Sequence, residues 1–163
     1  MQVDGRQSLR LRNYNYSLPG YYFITICTQN KTCLFGTITN DKIQLNESGV
    51  MIAKWWREVS KKFSVVQLED FVIMPNHIHG ILVIREENTL IKTVLQTIIQ
   101  WFKTMTTNEY IQNVKQSGWK RFSKRMWQRN YYEHIIRNEK SLEEIREYII
   151  YNPYNWKKDE LFV

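Results

Sequence analysis

Hydrophobic positions along the chain change period several times, and each change marks an element. Residues 20–29, GYYFITICTQ, are dense in aromatic and β-branched side chains and predict a first strand. CLFGTIT and KIQLN follow, separated by Asn40 and Asp41, and predict a hairpin added at the sheet edge. In ESGVMIAKWWREVSKKF, Ile52, Trp55, Trp56, Val59 and Phe63 recur at helical spacing. VQLEDFVIM reads as a strand, MPN as a turn and HIHGILVIRE as the next strand. A long helix follows, on which Leu90, Ile91, Val94, Leu95, Ile98, Ile99, Phe102 and Met105 form one apolar stripe. Residues 113–128 show no period and predict an irregular, basic segment; YYEHIIR is the last strand. Ser141 and Glu144 fit a capping box opening SLEEIREYIIYN. Pro153 stops that helix, because the residue before a proline avoids helical angles.

Leaving the hairpin aside, the order is β-α-β-β-α-β plus one more helix. That is the α/β (α+β) ferredoxin-like pattern, an antiparallel sheet with two helices on one face. The C-terminal helix is left to lie across the other face. We expect a polar, basic arm over residues 1–18, and one domain over residues 19–163.

Composition narrows the function classes. A hydrophobic share of 43% in 163 residues supports a packed core and excludes a disordered tail. No apolar run approaches the roughly 20 residues of a membrane span. The N-terminus, MQVDGRQSLRLRNYNYS, shows no secretory signal, so a cytoplasmic location is expected. Cys27 and Cys33 read as small core residues, and two thiols alone make no zinc site. A net charge of +7 favours a polyanionic partner, most simply nucleic acid.

Against this background two of the three histidines stand one residue apart, in MPNHIHGILVI. Strand side chains alternate faces, so His77 and His79 project together, while Ile78, Leu82 and Ile84 point to the helices. Two imidazoles so placed can chelate one divalent ion but do not complete its coordination. A bare H-x-H is more often a hydrogen-bonded structural pair. It gains weight from Tyr148 and Asn152 in EYIIYNP, four apart and so on one helix face. Beside a metal, Asn152 offers an amide oxygen as a third ligand and Tyr148 a nucleophile. Taken singly, Tyr148 reads as an amphipathic cover residue and Asn152 as a helix cap.

MPNHIHGIL resembles the histidine–hydrophobic–histidine (HUH) motif of single-tyrosine transposases of the insertion-sequence type. WQRNYYEHIIRNEKSLEEIREYIIYNP resembles the C-terminal signature of their relatives, the REP-associated tyrosine transposases. The resemblance runs from GYYFITICTQNKTCLFG to Trp156. It implies a ferredoxin-like core that binds single-stranded DNA carrying hairpins. Cleavage by such enzymes leaves a 5′-phosphotyrosine and a free 3′-hydroxyl. It implies His77, His79 and Asn152 as metal ligands and Tyr148 as the nucleophile. Insertion-sequence members usually carry Gln at the position of Asn152, so the asparagine points to the REP-associated branch. Mg²⁺ or Mn²⁺ is the expected cofactor, since two nitrogens and an amide oxygen do not choose between them. The expected partner is hairpin-ended single-stranded DNA, bound by a monomer or homodimer.

Lys115, Lys120, Arg121, Lys124, Arg125 and Arg129 fall in one acid-free stretch with Trp119, Phe122 and Trp127 interleaved. Backbone attraction plus base stacking needs such a set. A solvated loop anchored by its aromatics is the plainer alternative. Arg6, Arg10 and Arg12 form a smaller basic arm suited to a hairpin stem. His134 reads as structural, with a proton shuttle as the alternative. Glu69 or Asp70 could orient an imidazole, although a solvent-facing role is simpler. Two other functions compete. One is a non-catalytic single-stranded nucleic-acid module using GYYFITI as a stacking platform. The other is a two-histidine phosphodiesterase without a covalent step, for which a second H-x-[ST] motif is missing.

Overall fold

The computed structural model describes residues 18–85 and 94–163. The arm bearing Arg6, Arg10 and Arg12 lies outside them, as do Leu90 and Ile91 of the apolar stripe. The strands are β1 (Gly20–Cys27), β2 (Gly36–Thr39), β3 (Lys42–Leu45), β4 (Val66–Ile73), β5 (His77–Ile84) and β6 (Tyr132–Ile136). The helices are α1 (Glu47–Lys62), α2 (Val94–Gln116) and α3 (Glu139–Tyr151). Among the described residues no helix is long and apolar enough to cross a membrane.

The four long-range strands form one sheet in the order β4-β5-β1-β6, antiparallel at every pairing. With α1 and α2 as crossovers this is the expected ferredoxin-like arrangement. The β2–β3 hairpin forms where predicted, but as its own two-stranded sheet. Central β1 and β5 pair along their full lengths, Gly20 opposite Ile84 and Cys27 opposite His77.

The period-2 pattern sorts β1 cleanly. Tyr22, Ile24 and Ile26 join Ile78, Leu82 and Ile84 in the core beneath α1 and α2. On the opposite face, Tyr21 and Phe23 pack with Ile81, Ile136, Leu142, Ile145 and Ile149. So α3 lies across the second face, and the aromatics of a would-be stacking platform are covered by it.

Gly80, between the histidines and the core, is fixed by close approach. A Cβ there would sit 2.5 Å from Cζ2 of the fully buried Trp56 and 3.2 Å from Cβ of Phe71. Gly80→Ala should therefore cost about 1–3 kcal/mol through overpacking, read as a lowered urea midpoint. An unchanged midpoint would mean that Trp56 can move aside.

Four local expectations change. Helix α3 opens three residues before the proposed capping box: Asn138 is the N-cap, its side chain accepting from the Ser141 N–H at 2.8 Å. Ser141 instead occupies the first turn, and its backbone N–H is the group being capped. Asn152 precedes Pro153 yet keeps helical angles, φ −57° and ψ −43°. The helix ends there because Pro153 has no N–H to continue the ladder. Helix α2 carries on to Gln116, into the stretch expected to be irregular. Of the two thiols, Cys27 is buried but Cys33 is exposed, on the loop just before Leu34 and Phe35 enter the core.

Candidate functional site

His77 and His79 face α3 from the middle of the sheet, both buried. Their Nε2 atoms are 3.0 Å apart. Each ring is held through its other nitrogen. His77 Nδ1 lies 2.8 Å from Asn76 Oδ1. The Asn76 amide can be oriented only one way, because its Nδ2 donates to the backbone carbonyls of Lys31 and Leu161. Oδ1 is therefore the acceptor, His77 Nδ1 carries the proton, and its Nε2 lone pair points into the cluster. His79 Nδ1 lies 2.7 Å from the hydroxyl of Thr25, its cross-strand neighbour on β1. Phe23 stacks on the His79 ring with centroids 5.3 Å apart.

Helix α3 brings the second half. The Tyr148 hydroxyl is 3.3 Å from His79 Nε2, while the residue is 46% exposed. One turn on, Asn152 is only 2% exposed. Its Nδ2 donates to Asp159 Oδ2 at 3.1 Å, and its Oδ1 is buried with no hydrogen-bond partner. Asp159 was not singled out from the sequence. Its Oδ2 lies 4.0 Å from His77 Nε2, and ligand atoms of His77, His79 and Asp159 all fall within 4.8 Å of one another.

Burial sets the protonation here. It pushes His77 from its ordinary 6.5 down to about 4, against the upward pull of the Asp159 carboxylate and the Asn152 amide. Burial, and then His77, push His79 well below 6.5. Both rings are neutral at neutral pH, the state a metal ligand requires. Burial and then the Asp159 charge raise the Tyr148 phenol above its ordinary value, with the Asn152 amide opposing. Without an ion, a proton on His79 Nε2 can bridge the two imidazoles; to hold a divalent ion through Nε2, His79 would carry its proton on Nδ1 and donate it to the Thr25 hydroxyl.

A stability signature follows. The unfolded chain protonates these histidines near 6.5, whereas the folded one resists until lower pH. Below pH about 6.5 the unfolded state binds more protons, so stability falls as pH drops toward 4, by up to about 3 kcal/mol from His77. Urea midpoints of metal-free protein from pH about 7.5 to about 4.5 should decline, and less so in His77→Gln. Equal slopes for the two proteins would contradict neutral burial of His77.

The donor set suits a divalent cation. Around an octahedral ion with bonds of about 2.1 Å, adjacent ligands are about 3.0 Å apart and opposite ones about 4.2 Å. The imidazole separation of 3.0 Å matches an adjacent pair. The partnerless Asn152 Oδ1 is a spare oxygen beside it.

Other candidates fall elsewhere. Arg146 of α3 ties down Glu69 at 2.6 Å and Asp70 at 3.3 Å. The β4–β5 register slips between Leu68 and Phe71, which leaves both acids at a bulge on the edge strand. They dock α3 rather than orient an imidazole. His134 is exposed on edge strand β6. Lys115, Lys120, Arg121, Lys124, Arg125 and Arg129 are all exposed. Their aromatic neighbours anchor the segment. Trp119 packs on Tyr110 and donates to Glu47, Phe122 packs on Tyr110, and Trp127 is buried against Phe35 and Phe102. The segment joins the sheet at its histidine end, through Gln29 N–H to Met126 O and Gln128 N–H to Cys27 O.

Residues 19–152 match the sequence family described as Transposase IS200 like. The chain belongs to the IS200-like transposase family. It is also 42% identical to an uncharacterized protein of Haemophilus influenzae, over 99% of this chain and 95% of that one. A second Haemophilus influenzae protein, provisionally named a REP-associated tyrosine transposase, is 28% identical over 88% of this chain and 76% of its own length. Among solved structures, a REP-associated tyrosine transposase bound to a REP hairpin superposes with TM-score 0.62 at 19% identity, over 90% of this chain and 73% of that one. A Deinococcus radiodurans protein provisionally described as a transposase gives TM-score 0.53 at 16% identity, over 86% and 95%. At such identities the two structures speak to the fold, and the family match extends through both histidines, Tyr148 and Asn152.

Proposed function

We propose that this IS200-like transposase is a metal-dependent enzyme that cuts and rejoins single-stranded DNA carrying hairpins, with Tyr148 as the nucleophile. The observation that carries this is the half-exposed Tyr148 hydroxyl 3.3 Å from the buried imidazole pair. His77, His79 and Asn152 would hold Mg²⁺ or Mn²⁺. The ion's part is to draw charge from the non-bridging oxygens of the scissile phosphate and so make phosphorus more electrophilic. The buried face of Tyr148 positions its oxygen, and the exposed side admits the strand and lets the phenolic proton leave to solvent. Attack forms the Tyr148 Oη–phosphorus bond and breaks the bond to the 3′-oxygen, which departs and takes up a proton. One phosphodiester replaces another, so a later 3′-hydroxyl can reverse the exchange without a nucleotide cofactor.

The exposed Lys115, Lys120, Arg121, Lys124, Arg125 and Arg129 supply backbone attraction at the histidine end of the sheet. Trp119, half-buried on Tyr110, is the aromatic side chain we assign to stacking on a base. A hairpin substrate is supported by the REP hairpin in the solved relative. End-labelled hairpin single-stranded DNA with Mn²⁺, run on a denaturing gel, tests this. The expected result is a protein-linked label when the DNA carries it at the 3′ end, and a shorter free fragment ending in a 3′-hydroxyl when the label is at the 5′ end. Retarded but uncut DNA would favour a binding module instead.

A further inference from the structure

We propose that the Asp159 carboxylate is a resident ligand of the metal site, delivered by the segment that follows α3. This rests on the metal-site reading above and deepens it. The residue lies seven positions beyond Asn152, where the family match ends.

The chain after Pro153 folds back over the histidines through a short 3-10 turn, Trp156–Lys158. Trp156 is buried, with its ring 5.9 Å from that of His77 and 5.3 Å from Phe162. Lys31 Nζ donates to Glu160 O at 2.8 Å, and Asn76 Nδ2 donates to Leu161 O at 2.8 Å. The amide that fixes the His77 tautomer thus also fixes the strap carrying Asp159.

The two carboxylate oxygens are used differently. Oδ1 accepts from the Leu161 N–H at 2.7 Å, which locks the rotamer. Oδ2 faces the cluster, with the Asn152 amide at 3.1 Å and His77 Nε2 at 4.0 Å. The side chain is only 5% exposed. Among the described residues no Lys or Arg lies in ion-pair range of it; the one basic group there is the neutral His77. Burying a carboxylate among neutral donors is unfavourable unless a cation shares the site. The 4.0 Å separation lies between the roughly 3.0 Å of adjacent and 4.2 Å of opposite positions around an octahedral ion. With Asp159 the donors become two imidazoles, a carboxylate and an amide oxygen. The hard, anionic oxygen suits Mg²⁺ or Mn²⁺ better than three neutral donors would.

The test uses the full chain and Mn²⁺ alone, without DNA, with affinity read by calorimetry and by loss of the free Mn²⁺ paramagnetic signal. Even hydrogen-bond partners of ligands are worth roughly 10–100-fold in affinity, so Asp159→Asn should weaken Mn²⁺ binding by more than about tenfold. Asp159→Ala, which adds no competing donor, should show the same loss. Melting in EDTA checks each fold, and the Mn²⁺-induced rise in midpoint should shrink in both variants. Wild-type affinity in both variants, with binding lost in His77→Ala, would overturn the role of Asp159 and leave the histidine site standing. Binding unchanged in His77→Ala as well would overturn both.

Discussion

Tyr148→Phe should abolish the covalent protein–DNA intermediate and reduce strand cleavage by roughly 10⁴–10⁶-fold, the usual scale for deleting a nucleophile that acts with its partners as a unit. The fold gives a strong reason to expect a clean effect. The Tyr148 ring packs edge-on against Phe23 at 6.0 Å and His79 at 5.2 Å, and phenylalanine keeps both contacts. Only the hydroxyl goes, and its bond to His79 Nε2 is long, at 3.3 Å, and half open to solvent. Stability should change by less than about 1 kcal/mol. Gel-shift affinity for the hairpin should stay within a few-fold of wild type. Cleavage persisting at wild-type rate in Tyr148→Phe would instead favour hydrolysis by water at the histidine pair.

The second large effect is expected at the imidazoles. His77→Ala and His79→Ala should each lower Mn²⁺-dependent cleavage by about 10³-fold or more, since charge stabilisation by a bound cation is worth several kcal/mol. Hairpin binding should largely survive, because the exposed cations on the segment before β6 are untouched. The two variants are not equivalent in the fold. His77→Ala strips Asn76 Oδ1 of its donor, and Asn76 also holds the carbonyls of Lys31 and Leu161. His79→Ala removes the surface on which Phe23 stacks and leaves Thr25 unpaired. Both should lower the thermal midpoint while the chain still folds. If both variants fold and still bind Mn²⁺ with wild-type affinity, the histidines are structural.

Much of this site was legible because two periods are rigid. A strand's period of two puts His77 and His79 on one face whatever surrounds them. A helix's i/i+4 spacing does the same for Tyr148 and Asn152. What joins the halves is tertiary, and the sequence could offer only the ferredoxin-like order to suggest it. Asp159 follows a proline and a 3-10 turn, where no period exists to project a side chain, so nothing marked it. Thr25 acquires its role through the β1–β5 register, which pairs it with His79. Asn76 stood inside the quoted motif, but its orientation depends on carbonyls from two remote segments. Glu69 and Asp70 sat beside the site in sequence, and a bulge gave them to Arg146. Trp119, Phe122 and Trp127 show the limit of composition: an aromatic among cations looks alike whether it anchors a loop or stacks a base. At the α3 start, Asn138 took the cap that Ser141 seemed suited to, both being good caps three residues apart.

The central claim is a covalent bond at one phenol, and locating that bond tests it most directly. Adduct trapped with Mn²⁺ and hairpin single-stranded DNA would be digested with nuclease and protease, and the nucleotide-bearing peptide fragmented by mass spectrometry. Tyr151 and Tyr154 are natural internal controls, being 57% and 65% exposed on the same stretch. The expected result is a 5′-phosphonucleotide on Tyr148 alone. A nucleotide on Tyr151 or Tyr154, or cut DNA with free 5′-phosphates and no modified peptide, would contradict it.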